Sequence, residues 1–338
     1  MSPLRYECVN PLEYGAAIKA LFSREGEPQF AAYFDRVYPS EVEAGGRSWV
    51  AFAPDGELVL HVARFLYEFM VQGRARTGGL TANLMVATRY RTLVPAVSLM
   101  RRVVADDSAG ARVDFLYTTT TAQTVPVLKL AGFDELATVA RYVLPLGDRN
   151  PLLDAGIRVR NSLQRRGVGR PIGGWKEYAG EAFPMERFAT CVDEASLSPL
   201  SPLRTERTFR RRLPGFPSGS DLAWLEEEPA GGERLVAVRV EADGKRGDVT
   251  AISPAAARNF AHFIPTVAQQ LRARGLTRLY LHAIEGSTLA VEAVRAGFVR
   301  RRDRSPFMAV PLRPDAAQLL ALPGRWAVCG VDFDGLAA

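Results

Sequence analysis

The chain has 338 residues, 47% of them hydrophobic and 24% charged, and at roughly 150 residues per domain that length predicts two globular domains. Such a composition excludes wholesale disorder, and the longest apolar run, Leu58–Val71, is too short for a helical membrane span of ~18 residues and is broken by His61, Arg64 and Glu68. The net charge is +6, carried almost wholly by arginine because lysine occurs only at positions 19, 129, 176 and 245.

In chain order, Met1–Asn10 lacks the basic-then-apolar layout of a secretory signal, so a cytoplasmic protein is expected. Tyr14, Ala17, Ile18 and Leu21 recur at helical offsets, and a second helix around Gln29–Val37 is expected to stop before Pro39. Ser48–Ala53, the turn Pro54-Asp55-Gly56 and a strand from Leu58 predict a hairpin. Gly78-Gly79 reads as the next turn, ahead of a strand over Thr81–Ala87. Ala96, Leu99, Met100, Val103 and Val104 then mark a helix with Pro95 in its first turn, where a missing N–H costs nothing.

The rest of the chain contains a repeat. Val113–Leu146 and Thr277–Leu312 each run strand, polar turn, short helix, Ala-Gly-Phe, then a strand ending in Pro-Leu. The two glycines, Gly132 and Gly297, lie 297 − 132 = 165 positions apart, close to half the chain. Each is expected to close its helix in a left-handed conformation while the next Phe folds back. The prediction is two copies of one α+β domain, an N-terminal copy over 1–150 and a C-terminal copy over 176–338, joined by a basic Gly-rich linker over 151–175. The second copy should hold a helix around Pro184–Asp193, strands at Ala223–Leu225, Leu235–Val240, Gly247–Ile252 and Arg278–His282, and a helix capped by Ser253-Pro254 and kinked at Pro265. A last strand is expected at Trp326–Val331 in a tail from Ala316.

Basic clusters at Arg158–Lys176, Arg204–Arg212 and Arg300–Arg304 are not interleaved with aromatics, so they read as solvated faces or as contacts to a phosphate-bearing partner. Cys8, Cys191 and Cys329 are odd in number and far apart and there are three histidines, so neither a disulfide framework nor a metal site is expected.

The order of elements, with strand, loop and helix at Leu84–Val104 and a late Gly-Phe, resembles the GNAT superfamily of acyl-CoA N-acyltransferases in its tandem form, over about the whole chain. The family's R/Q-x-x-G-x-G/A motif corresponds to Val86-Ala87-Thr88-Arg89-Tyr90-Arg91-Thr92-Leu93-Val94-Pro95-Ala96, where Val94 stands in place of a glycine. Leu203–Arg212 is similar to the entry of a second tandem domain. The resemblance implies two GNAT-like domains, each a mixed, mostly antiparallel sheet flanked by helices. It implies an acetyl-CoA or other acyl-CoA co-substrate, no metal, and an amine acceptor. It also implies donor contacts from Met85 and Val86 on the central strand and from Arg91, Thr92, Leu93, Val94 and Ala96 in the following loop. A helix N-terminus suits a diphosphate because its first amides lack partners.

Many members carry a tyrosine acid four residues before the glycine of Gly-Phe, where this chain has Leu128 and Ala293, and an asparagine where it has Thr121 and Gly286. Glu68 is the candidate general base: strand parity puts it with Arg64 on the face of Leu60, Val62, Leu66 and Met70, so it reads either as a base or as the partner of Arg64. His61 and His282 read as structural. Ser253–Arg258 does not match the loop motif, so the second copy is expected to lack the donor site. Three functions stay open: an N-acyltransferase, a non-catalytic scaffold on the same fold, and a Fem-like aminoacyl transferase using tRNA.

Overall fold

The computed structural model describes residues 4–71, 74–110, 112–147, 175–179, 182, 200–202, 211, 221–226, 234–241 and 243–320. The chain forms two compact units. Of the described residues, the first takes those up to Ala137 with 305–320, and the second takes those from Thr138 to Arg304.

In the first unit the order is β1 (Arg5–Val9), α1 (Gly15–Arg24), α2 (Phe30–Glu43), β2 (Arg47–Phe52), β3 (Leu58–Val71), β4 (Arg74–Val86), a 3-10 turn at Thr88–Tyr90, α3 (Leu93–Gly110), β5 (Phe115–Thr119) and α4 (Val125–Leu130). Strands β1 to β4 pair antiparallel in sequence order, and β4 pairs parallel with β5. The far side of β5 is taken by Phe307–Pro311, antiparallel, from near the end of the chain. On one face the ring of His61 in β3 meets Phe22, Phe30 and Tyr38 of α1 and α2. On the other, α3 buries Ala96, Leu99, Met100 and Val103, and Asp106 accepts a 2.8 Å hydrogen bond from the indole of Trp49 in β2.

In the second unit β6 (Asp134–Pro145) supplies Val139–Pro145, followed by β7 (Trp175–Ala179), β8 (Leu200–Pro202), β9 (Asp221–Glu226), β10 (Arg234–Val240), β11 (Arg246–Ile252), α5 (Pro254–Arg258), α6 (Phe260–Ala273), β12 (Arg278–Ile284) and α7 (Thr288–Arg295). Its strands run β6-β12-β11-β10-β9-β7, antiparallel except for β11 with β12. This repeats the first unit strand for strand: β7, β9, β10, β11 and β12 answer to β1 through β5. Trp224, Phe260, Phe263, Leu279, Leu281 and Phe298 are buried together beneath α6 and α7. The chain then runs through β13 (Val299–Pro311) into α8 (Pro314–Leu320).

The fold is therefore α+β, with mixed, mostly antiparallel sheets flanked by helices. The units cross the division between 1–150 and 176–338, because each copy's last strand is seated in the sheet of the other unit. The repeat itself is plain. Gly132 (φ 98°) and Gly297 (φ 97°) both close Schellman turns, with the N–H of Phe133 and Phe298 donating to Leu128 and Ala293 carbonyls at 3.0 Å.

Several local expectations change. Pro39 lies inside α2, which continues to Glu43 because Tyr38 and Glu41 are buried and Glu41 accepts a 2.6 Å bond from the Tyr67 hydroxyl. Pro265 lies inside α6, and the break falls earlier, at Asn259. Strand β1 and helix α8 were not expected from sequence. The helix at Pro184–Asp193, the strand at Trp326–Val331 and all of the linker 151–175 except Trp175 lie outside the described residues.

Gly78 and Gly79 are not a turn but strand residues. A Cβ at Gly78 would sit 2.6 Å from the Phe69 ring and 2.9 Å from that of Phe115, and one at Gly79 would sit 2.6 Å from Leu116 Cδ2. These glycines allow the parallel strand and two phenylalanines to close. Gly78→Ala is expected to destabilise the first unit by about 1–3 kcal/mol through overpacking. Urea denaturation measures it, and an unchanged midpoint would show that Phe69 and Phe115 yield freely.

Candidate functional site

Strands β4 and β5 pair only through Gly78–Leu80 and Phe115–Tyr117, while β4 runs six residues further to Val86. Among the described residues, the second half of β4 therefore has a sheet edge with no ladder partner on the β5 side. Along that half the register with β3 slips by one residue between His61/Met85 and Ala63/Ala82, a β-bulge opposite Val62. Its residue Asn83 has φ 57°, and among the described residues no other non-glycine has positive φ. Asparagine tolerates this left-handed conformation better than most side chains.

Past the bulge, Met85 is opposite His61, and the Ala87 N–H donates to the Val59 carbonyl at 2.8 Å. Backbone groups alternate sides along a strand, so Met85 and Ala87 face β3 while the N–H groups of Leu84 and Val86 face the unpaired edge. The chain then enters the 3-10 turn and α3. Of the amides from Thr92 to Ala96, Thr92 donates to the Tyr90 carbonyl at 2.6 Å and Pro95 has no N–H. Ala96 is the fourth residue of a helix that begins at Leu93, where intrahelical bonding starts. Among the described residues that leaves Leu93 and Val94 as donors, and these two residues are 46% and 71% exposed. The valine side chain points to solvent and does not block the helix end.

The loop is held by carboxylates. Glu25 Oε2 accepts from the Thr88 N–H at 3.0 Å, from the Thr88 hydroxyl at 2.7 Å and from Arg91 at 2.9 Å. Desolvation would raise the Glu25 carboxyl, but the bonds from Thr88 and the charges of Arg91 and Arg24 outweigh it and hold it below the ordinary carboxylate range. Arg91 Nε also donates to the Val86 carbonyl at 3.1 Å, and Arg89 pairs with Glu57. The bulge, Met85, Val86 and the loop from Arg91 to Ala96 thus belong to one continuous piece of backbone.

Glu68 stands apart from them. It is exposed and lies opposite Thr77, seven residues along β3 from the His61–Met85 pair, about 23 Å at 3.3 Å per residue. The apolar face expected around it fades past Arg64, with Leu66 half-buried and Glu68 exposed. Arg64 pairs with Asp107 of α3 at 3.6 Å, donates to the Gly45 carbonyl at 3.2 Å and stacks on Trp49. The Arg64–Glu68 pairing is replaced by that of Arg64 with Asp107, and Glu68 stands at a distance from the bulge.

In the second unit β11 also bulges, at Thr250 opposite the Ala237–Val238 step, and its hydroxyl donates to the Ala237 carbonyl at 3.3 Å. After it there is no open loop. Ser253 caps α5 directly, its Oγ accepting from the N–H of Ala256 at 3.2 Å and of Leu235 at 3.0 Å. Leu128 and Ala293, four residues before the glycines of the two Gly-Phe turns, are both buried in core. Among the described residues no group of three or more His, Cys, Asp or Glu converges as a metal site, and no helix is long and apolar enough to cross a membrane.

Sequence reasoning missed Glu25 and the arrangement around Asn83. An asparagine inside an otherwise apolar strand was the available signal, because asparagine is depleted in regular strands.

No protein-family model and no curated protein matches the chain. Solved structures do. A probable N-acyltransferase from Enterococcus faecalis superposes with TM-score 0.64 at 13% identity, over 92% of this chain and 73% of its own. A GCN5-related N-acetyltransferase from Kribbella flavida gives TM-score 0.60 at 16% identity, over 92% and 72%. The N-myristoyltransferase of Saccharomyces cerevisiae, solved with bound myristoyl-CoA, gives 0.51 at 10% identity, over 92% and 79%. At these identities the likeness speaks for fold alone, and the fold of this chain is that of the GNAT superfamily of acyl-CoA N-acyltransferases.

Proposed function

We propose that the chain transfers an acetyl or other acyl group from acyl-CoA to an amine, with the donor held by the first unit. The contrast between the copies carries this reading. At the same topological position β4 leads through an open loop with two donor amides, whereas β11 runs into a helix whose cap already uses the adjacent amides. In this reading the diphosphate lies against the amides of Leu93 and Val94, with Arg91 beside it. The thioester lies along the unpaired edge of β4.

The chemistry follows from that placement. The amine nitrogen attacks the thioester carbonyl carbon, and the oxygen gains charge against the N–H of Leu84 or Val86. Collapse breaks the C–S bond and expels the thiolate. The nitrogen releases its proton to solvent and the thiolate takes one from water, since Leu128 and Ala293 provide no acid. Positioning and oxyanion stabilisation then supply the rate.

Calorimetry with CoA tests the donor site. Arg91→Glu is expected to weaken CoA about tenfold, or ~1.4 kcal/mol. The loss is kept moderate because Glu25 already neutralises part of the Arg91 charge. Unchanged affinity would move the diphosphate elsewhere, and no binding by the wild type would overturn the reading. The buried residues at both tyrosine positions favour a non-catalytic acyl-CoA-binding protein as the second reading, which predicts CoA binding without turnover of any amine. Thermal shifts with tRNA alongside acetyl-CoA test the aminoacyl-transfer alternative.

A further inference from the structure

His61 is fully buried in β3, and both its ring nitrogens are engaged: Nδ1 lies 3.0 Å from the Asn83 carbonyl oxygen and Nε2 lies 3.0 Å from Ser48 Oγ. A carbonyl only accepts, so Nδ1 carries the proton. Burial pushes the imidazole down to about 4, so the ring is neutral and Nε2 accepts from the Ser48 hydroxyl. One tautomer is thereby selected from both sides. The ring is wedged against Phe22, Phe30 and Tyr38, and the Tyr38 hydroxyl accepts from the Asn83 side-chain amide at 3.0 Å. The residue with the unusual backbone is thus held at its carbonyl by one aromatic side chain and at its own amide by another.

We propose that His61 is a positioning residue for acyl transfer, holding the Asn83 bulge so that the amides of Leu84 and Val86 are aimed at a thioester carbonyl on the open edge of β4. The inference rests on the acyltransferase reading and adds to it a residue that does not touch substrate. The second unit supports the link between this device and the donor site. At the position of His61 it has Ala237, its bulge residue Thr250 is not in the left-handed region, and its loop is closed by Ser253. Thr250 is instead tied to the Ala237 carbonyl through its own hydroxyl, so the left-handed bulge with its carbonyl on a histidine belongs to the unit with the open loop.

The bulge amides would contact the acyl carbonyl and not the rest of CoA, so the test separates the two. Binding of CoA and of acetyl-CoA labelled with carbon-13 at the acetyl carbonyl is measured by calorimetry, and the carbonyl stretch by difference infrared spectroscopy. In the wild type the stretch is expected to move to lower frequency on binding. His61→Phe keeps a ring of similar size but removes the donor. It should bind CoA within about twofold of wild type while losing the infrared shift and any preference for acetyl-CoA over CoA. His61→Asn, whose amide N–H replaces the Nδ1 donor, should restore the shift. Tyr67→Phe, which removes a buried bond elsewhere on β3, should lower stability and leave the shift in place.

A retained shift in His61→Phe, or an equal loss of CoA and acetyl-CoA binding, overturns the inference and leaves the acyltransferase reading standing. A wild type that binds neither overturns both. Should His61→Phe fail to fold, the His61 Nδ1–H resonance of the wild type answers the same question. It is expected to move with acetyl-CoA and not with CoA, and an identical response to both overturns the inference.

Discussion

Asp107→Ala is expected to destabilise the first unit by about 3–5 kcal/mol, because it leaves the Arg64 guanidinium buried without its counter-charge. Both side chains are nearly inaccessible, at 7% and 10% exposure, and their 3.6 Å approach is an ion pair but not a hydrogen bond. Among the described residues, Arg64 Nε and Asp107 Oδ2 have no hydrogen-bond partner. Burial pushes the Asp107 carboxyl up to about 6 in spite of Arg64, so desolvation outweighs the pairing. Replacing both residues with apolar ones of similar volume, Arg64→Met with Asp107→Leu, should therefore recover most of the lost stability. The sign of the pH effect follows from the raised value. The folded state holds this proton more tightly than the unfolded chain does, so the contribution is present below the ordinary carboxylate range and lost as pH rises through about 6. Asp107→Asn should abolish that part of the slope. Urea melts between pH 4 and 7 measure both effects, and a double variant as unstable as Asp107→Ala would show that shape, not charge, governs the site.

Val94→Asp is expected to weaken CoA binding about 100-fold, or ~2.7 kcal/mol, while leaving the fold as stable as before or slightly more so. The valine is 71% exposed and contributes little to the core. A carboxylate in the first turn of α3 interacts favourably with the helix dipole, but it occupies the place where the diphosphate would lie. Opposite signs for stability and affinity separate a local electrostatic effect from unfolding. Calorimetry and thermal denaturation of the same sample decide it, and unchanged affinity would exclude the N-terminus of α3 as the diphosphate site.

The elements that sequence reasoning located best were those with one-sided burial. The stripe Ala96, Leu99, Met100 and Val103 lies in α3, and the twin Gly-Phe turns lie at the ends of α4 and α7. What it misread depended on partners distant in sequence. Gly78-Gly79 looks like a reversal until Phe69 and Phe115 are seen to press on it. Glu68 looks half-buried by strand parity, but α3 takes Arg64 through Asp107 and Glu68 is exposed. The loop was legible as a helix entrance, yet its restraint by Glu25, 66 residues before Arg91, was not. The role of His61 was hidden for the same reason, since a buried histidine gains meaning only from the carbonyl it holds.

The last strand of each repeat has a consequence for how the chain is made. During synthesis β5 emerges with its outer edge bare, and the segment that covers it, Phe307–Pro311, is translated almost two hundred residues later. The first unit therefore cannot finish folding as a nascent N-terminal domain, and its non-local strand pairing predicts slow closure. A fragment ending at residue 150 would leave that edge open to pairing with other chains. The duplication has made two copies that exchange their last strands, so neither sheet is complete until the second repeat has been made.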